Sequence, residues 1–543
     1  MKKMLKKYWI VFVYCIVVAV VLSPYLFQNG YFLSIDWIFW PEIFPVEGQY
    51  YPNYLLWIFI QKGFSFFVGD LLTQKLFVIG IFAIAYFSTK NLLSVFISDK
   101  LLIFVGTLFF ILNPFVYPRL VQGQFYILYA YALLPFVIWL LLRERYLASL
   151  IVSGVLLSFS PHFCFILVLL YLLYGLFFGS LLRKKNIKID VCLGLFIVVL
   201  LNSYWIFAIL DQTNILNFQN DFYYFASHSV YFPNIYLEIL SLNGFRWNFS
   251  WRNFQLEWGF LWYLSLLILA MFSILGGIAL FRQNEKKLLL LFCSLFSISV
   301  VLSLWVSEEN VFSSFNLFLF ERMPLYSGMR DANKWSSLLS IVYMCLVVKW
   351  ISIFLKKDRF VDFVIYLFSF SLPFVFSTSL LLFRYNILES YEYPKEWYLL
   401  KKEYLKDFKF LGKNSILALP WHQSLSLSFL EGKVVMNPVG VFFWKNVLVA
   451  DNIEFWPIYS QSSRKESKVL EGLFYWDMVF NSGENKHLFL ESIKDLWIKR
   501  ILLLKEGDYK KYERLLEVGD KSISLVFSWN IISYYSVLYN EIK

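Results

Sequence analysis

Eleven apolar stretches decide what this chain can become. They run at about 9–27, 75–97, 100–117, 125–142, 147–160, 163–182, 191–210, 258–281, 288–306, 335–355 and 360–383. Most are close to the roughly 17–25 residues a helix needs to cross a ~30 Å hydrocarbon core. Backbone placed in lipid has to satisfy its own N–H and C=O groups, so such segments fold as helices. The pattern predicts an α-helical polytopic membrane protein of about eleven spans, with 147–160 the shortest. At 59% hydrophobic and only 16% charged residues, the chain lies outside the range of soluble globular proteins.

The net charge of +11 does not form one basic stripe of the kind nucleic acid needs. It falls in short clusters between apolar runs: Lys100; Arg143 with Arg145; Arg183 to Lys185 with Lys188; Arg282 with Lys286 and Lys287; and Lys356, Lys357 and Arg359. If the N-terminal lysines face the cytoplasm, these clusters occupy every second junction, as the positive-inside rule requires. The opposite junctions, 28–74, 114–124, 211–257 and 307–334, are aromatic and mixed in charge, and are expected outside. The opening MKKMLKKYW and its apolar run resemble a signal peptide, but the run has the length of a span and lacks an A-x-A site, so it is read as an uncleaved first helix. Five cysteines all lie in or beside apolar runs without a CxxC pair, which argues against a disulfide framework or a zinc site.

Composition changes sharply after Arg384. Residues 384–543 mix helix-like pieces such as PKEWYLLKKEYLKDF with strand-like ones such as SILALP, KRILLL and ISLVFSW, and predict a soluble α/β domain on the outer face. The membrane domain is then 1–383, with outer loops at 28–74 and 211–257.

Three stretches could carry chemistry. In FLSIDWIFWPE, Asp36 stands among Trp37, Phe39 and Trp40, with Glu42 and Glu47 nearby. Aromatic neighbours that strip water from a carboxylate raise its pKa and make it a better base; an interfacial aspartate capping a short helix is the equal alternative. In NPFVYPRLVQGQFY, Arg119 lies beside two prolines and a Gln-Gly-Gln turn. It could grip a phosphate with two hydrogen bonds or reach to lipid headgroups. In LYSGMRDANKW, Pro324 and Gly328 form a turn before Arg330, Asp331 and Lys334. Arg330 and Lys334 are four apart, so on a helix they share a face, with Asp331 able to orient either cation. At a helix N-terminus they would attract an anion. His162 and His228 are lone histidines without ligand spacing, and Asn248-Phe249-Ser250 matches a glycosylation acceptor. No Walker A sequence, GxGxxG fingerprint or nucleophile elbow occurs.

The layout, and two of these stretches, resemble the GT-C superfamily of integral-membrane glycosyltransferases. MPLYSGMRDANKW is similar to the Pro-x-x-x-x-φ-Arg-x-x-x-Lys stretch at the outer start of a late helix in large bacterial and archaeal members, including those similar to cell-wall arabinofuranosyltransferases, and NPFVYPRLVQGQFYILYAYALLPF is similar to their third-span exit. The resemblance covers most of 1–383 and implies a polyprenyl-phosphate-linked sugar as donor, a glycan, glycolipid or protein acceptor, and a site at the outer surface of the cell membrane. Asp36 matches the catalytic acid of the first outer loop, while Arg330, Lys334 and Arg119 would hold the donor phosphate, with Asp331, Glu42 and His162 in support. Several relatives carry paired acids, but here Ile35 and Trp37 flank Asp36, which weakens the case for a two-carboxylate metal site. No cofactor is dictated, and a divalent cation is the one candidate. A polysaccharide flippase would predict internal repeats and broken helices with midplane charges, and neither is read from the sequence. A polysaccharide polymerase and a non-enzymatic scaffold for envelope assembly remain as alternatives.

Overall fold

The computed structural model describes residues 2–41, 54–179, 187–211, 235–242, 259–304, 311–323, 326–329, 332–354, 359–377, 388–407, 415–443, 447–455, 458–460, 464–474, 483–517 and 521–538, with Leu381 and Ser462. The chain divides into two compact units, one made of 1–26, 52–57 and 75–388, the other of 27–51, 58–74 and 389–543. The division differs from a simple split near residue 384: most of the 28–74 segment belongs with the C-terminal region.

The first unit is helical. Asp70–Leu93, Phe125–Leu142, Lys188–Phe207, Tyr263–Arg282, Lys286–Ser303 and Ala332–Ile353 are long and apolar enough to cross a membrane, and the bent pair Lys100–Ile111 with Val116–Gln122 makes a seventh. The remaining apolar helices, among them Trp9–Val21, Tyr146–Phe159, Phe163–Phe178 and Asp362–Phe376, fall short of that length. Helices lie in each of the apolar stretches, and among the described residues length and composition qualify six of them, or seven with the bent pair, to cross a membrane. One apolar helix, Leu55–Val68, was not expected at all, since it lies in the junction read as an outer loop. Its 14 residues reach about 21 Å at 1.5 Å each, too little for a span, so a search for spans passes over it.

Ser336–Phe354 is the hub of this unit and packs against Lys100–Ile111, Gly259–Arg282 and Lys286–Ser303. Leu338, Leu339, Ile341, Val342 and Met344 are wholly buried, so the helix has no face left for lipid over its first turns. Small residues let the backbones approach, which matters where helix association cannot rely on a hydrophobic driving force. A Cβ on Gly276 would overlap the Leu346 carbonyl, whereas one on the adjacent Gly277 would meet only Leu289 Cδ1 at 3.4 Å. Near the far end of the hub, Lys349 is buried and its Nζ lies 3.1 Å from Glu285 Oε1, which compensates the cost of taking the charge out of water.

The second unit is built on a five-stranded sheet in the order β10-β11-β9-β3-β6, with β3 (Ile416–Leu419), β6 (Val447–Leu448), β9 (Arg500–Leu504), β10 (Ile523–Ser528) and β11 (Ile532–Val537). β3 pairs in parallel with both β6 and β9, while β11 runs antiparallel to β9 and β10. All four residues of β3 are buried, the pattern of a strand covered on both faces. The helices Lys465–Phe474, Gly483–Asp495 and Tyr509–Glu517 supply Leu470, Phe474, Phe489, Ile493, Tyr512 and Leu515 to the core that Leu417, Leu419, Ile501 and Leu503 share. In YKKYERLLE the buried Tyr512, Leu515 and Leu516 recur at three and four positions, which makes one apolar helical face.

Gly276→Ala is expected to force the Gly259–Arg282 helix off the hub and to lower the thermal midpoint of the detergent-solubilised protein, at a cost of ~1–3 kcal/mol. Gly277→Ala should leave the midpoint within a degree or two. Equal behaviour of the two variants would remove close backbone approach as the basis of this packing.

Candidate functional site

In the first unit, the stretch NPFVYPRLVQGQFY breaks one helix into two. Asn113 makes the break: its Nδ2 donates to the carbonyls of Phe109 and Phe110 at 3.0 and 2.8 Å, and its Oδ1 accepts from the Phe115 N–H at 2.9 Å. Pro114 follows, which cannot extend the helix with an N–H of its own. The short Val116–Gln122 helix that results is bent by 47° from Lys100–Ile111 and ends at Gly123.

Arg119 lies on this short helix and is 1% exposed, so the headgroup-reaching alternative does not describe it. Its guanidinium is solvated by protein: Nη1 donates to the Phe115 carbonyl at 3.0 Å, Nη2 to Asn333 Oδ1 at 2.6 Å, and the plane sits 3.8 Å from the centre of the Phe115 ring. These contacts use the planar fork and the stacking face that distinguish arginine from lysine. Gln122, one turn on, is equally buried, and neither end of its amide has a partner among the described residues. A buried amide left in that condition is costly, and so is informative.

Asn333 and Lys334 belong to a 3-10 turn, Ala332–Trp335, that precedes the hub helix. Lys334 thus lies before the α-helix and not on it, and the expected face shared with Arg330 falls outside the described residues. Its side chain is buried, and Nζ donates to the Gly328 carbonyl at 3.0 Å, closing the Tyr326–Met329 turn onto the helix start. Arg330 and Asp331 lie outside the described residues, as do Glu42, Glu47, His228 and Asn248. His162, part-exposed at the start of Phe163–Phe178, lays its ring against Gly328: a Cβ there would stand 2.9 Å from Nδ1. Phe165 meets Tyr326 edge-on at 5.1 Å. His162, Gly328, Lys334, Asn333 and Arg119, drawn from three distant parts of the sequence, are therefore linked contact by contact.

Asp36 belongs to the second unit. Residues 32–40 fold into a tight hairpin: Leu33 bridges Ile38, the Ser34 N–H donates to the Trp37 carbonyl at 2.9 Å, and the Phe39 N–H donates to the Phe32 carbonyl at 2.9 Å. Phe32, Leu33, Ser34, Trp37, Ile38, Phe39 and Trp40 are all buried. Asp36, at the tip, is exposed. The aromatic setting read from the sequence is real, but it anchors the hairpin, while Asp36 lies exposed at the bend of its tip. A cavity of about 10 Å³, the size of one water, lies among Trp37, Phe39, Trp40, Ile58, Gln61 and Gln74. Among the described residues no three His, Cys, Asp or Glu side chains cluster closely enough to hold a metal ion.

Sequence reasoning passed over Asn333 and Gln122. Asn333 is an uncharged residue between the charged ones of LYSGMRDANKW, and Gln122 lies in a Gln-Gly-Gln sequence typical of a turn. No local signal announces either residue, because their roles depend on a contact 214 positions long and on burial.

No protein-family model and no curated protein matches the chain. Solved structures do. A single-particle cryo-EM structure of the arabinofuranosyltransferase AftD from mycobacteria matches with a TM-score of 0.61 and 12% identity, over 98% of this chain and 40% of that one. A structure of a mutant of the same protein matches with a TM-score of 0.62 and 11% identity, over 97% and 41%. The chain spans about two-fifths of the length of the proteins it resembles. At such identity the likeness establishes architecture: the chain has the GT-C fold of these mycobacterial transferases.

Proposed function

We propose that this protein is a membrane glycosyltransferase that moves a sugar from a polyprenyl-phosphate donor to a glycan, glycolipid or protein acceptor. The fold supports the class. The observation that carries the residue assignment is the hairpin tip, where one carboxylate stands exposed on a segment whose other side chains, save Ile35, are buried. A rigid, anchored loop presenting a single charged group is the arrangement expected of a working residue.

In this reading the acceptor hydroxyl gives its proton to Asp36 as its oxygen attacks the anomeric carbon, and the bond from that carbon to the phosphate oxygen breaks. The polyprenyl phosphate leaves with the electron pair and an added negative charge. Arg119 and Lys334, with Arg330, hold that phosphate, and the buried amide of Gln122 is available to a polar donor group beside them. Cations fixed by protein hydrogen bonds cost no reorganisation when charge develops. The alternation of basic and aromatic junctions supports a cytoplasmic N-terminus and an extracytoplasmic C-terminal region.

Asp36→Asn should keep expression and donor binding yet lose turnover by ~10²–10⁴-fold, measured as transfer by the purified protein; near-normal transfer would take Asp36 out of the mechanism. Arg119→Lys keeps the charge but loses the fork and the stacking on Phe115, and should weaken binding of a polyprenyl-phosphoryl sugar about tenfold, equivalent to ~1.4 kcal/mol. Unchanged donor binding by the folded variant would make Arg119 a structural residue alone. A cysteine introduced near residue 430 should react with an impermeant maleimide in intact cells. Protection there until the cells are opened would reverse the orientation.

A further inference from the structure

The hairpin that carries Asp36 is buried, but little of it is paired within itself. Its carbonyls need partners, since buried backbone oxygens without them cost free energy. They find them far along the chain and within the same unit. The Met436 N–H donates to the Ser34 carbonyl at 3.1 Å, and the Tyr393 hydroxyl to the Phe39 carbonyl at 2.9 Å. Gln74 Nε2 donates to the Trp40 carbonyl at 2.8 Å. These three acceptors lie two positions before Asp36 and three and four after it, so the tip is held from both sides.

The approach to the hairpin is fixed in the same way. β1 (Tyr31–Phe32) pairs antiparallel with β2 (Ser390–Tyr391), in the register Tyr31↔Tyr391 and Phe32↔Ser390. The Ser390 N–H donates to Gln28 Oε1 at 3.1 Å. Gly30, at φ +102°, passes so close to Tyr391 that a Cβ would overlap its carbonyl, a position open to glycine alone. Lys433 puts its ammonium 5.4 Å from the centre of the Phe32 ring and 5.6 Å from that of Tyr391. Burial there pulls its pKa down to about 8 against the opposing charge of Glu389, so the two rings hold an amine that has lost much of its water.

We infer that the C-terminal segment sets the position of the reacting carboxylate, with Tyr393 as the side chain that does so. This rests on the assignment of Asp36 as the base. Tyr393 is not a catalytic residue, because its hydroxyl meets a backbone carbonyl three residues from Asp36. It is a positioning residue. Its ring is packed 5.8 Å from Tyr31, 5.5 Å from Trp397 and 4.7 Å from Phe442, so the hydroxyl has one place to point, and the ring keeps those contacts when the hydroxyl is removed.

The test is Tyr393→Phe in the full-length protein in nanodiscs, beside the parent and Asp36→Asn, with polyprenyl-phosphoryl arabinofuranose as donor and an oligoarabinoside as acceptor. Two quantities are read: amide hydrogen exchange across residues 31–41, and the separate kcat and KM of transfer. A displacement of about 1 Å can cost ~10²-fold, so loss of one of several braces should lower kcat about tenfold with KM changed less than about twofold. Exchange at 33–39 should speed up by a similar factor, while exchange in β3 and β9 stays as in the parent. Parent-like exchange at 33–39 would overturn the inference. So would faster exchange with unchanged kcat while Asp36→Asn is inactive, since the brace would then serve stability alone. Full activity of Asp36→Asn is a different failure: it removes the base itself, and the inference with it, whatever Tyr393→Phe does.

Discussion

A guanidinium cannot be buried in an apolar helical unit unless the protein replaces its water, and the unit that holds Arg119 is arranged around doing so. The helix has to break at Asn113 so that a short turn can present Arg119, and the broken backbone then uses Asn113 to cap itself. The hub helix has to begin with a 3-10 turn so that Asn333 faces the guanidinium. That turn in turn lets Lys334 reach the Gly328 carbonyl, and Gly328 has no side chain because the His162 ring occupies the place of one. Removing one partner of such a set leaves a buried charge uncompensated, which costs far more than an exposed ion pair contributes.

The second unit meets a different constraint with the same logic. An irregular segment kept out of water needs hydrogen bonds that its own backbone cannot supply. The 32–40 hairpin obtains them from a strand pair, a tyrosine and a backbone N–H more than 350 positions away in sequence. This explains why 27–51 and 58–74 group with 389–543 although apolar helices intervene in the chain. The sheet of β3, β6 and β9 has a hydrophobic core of its own.

What could be read from sequence follows the range of the interaction responsible. Apolar runs report a local property, and helices lie where they predict; the GT-C resemblance, which rests on layout and two short motifs, holds at the level of fold. The strand-like SILALP and KRILLL are adjacent strands of one sheet, because continuous apolar residues suit a strand covered on both faces. The failures are of two kinds. Leu55–Val68 fell below a length threshold that suits spans and no other kind of apolar helix. The exposure of Asp36 and the 3-10 setting of Lys334 are not signalled by their neighbours in sequence, because a hairpin bend and a turn before the helix decide them.

Arg119 and Asp36 therefore illustrate opposite solutions for a charged side chain. Arg119 is buried, and its position is dictated by the hydrogen bonds that solvate it, so any change in charge or shape is felt by the helices around it. Asp36 is exposed, and the backbone that bears it is fixed on both sides of the tip. Under the proposed function, a cation that stabilises a departing phosphate benefits from the first arrangement, because a dry and fixed charge is weakly screened. Under the proposed function, a base that has to meet an incoming hydroxyl benefits from the second, because access and placement are then separated: the carboxylate is exposed, while the carbonyls of Ser34, Phe39 and Trp40 are held by hydrogen bonds from Met436, Tyr393 and Gln74.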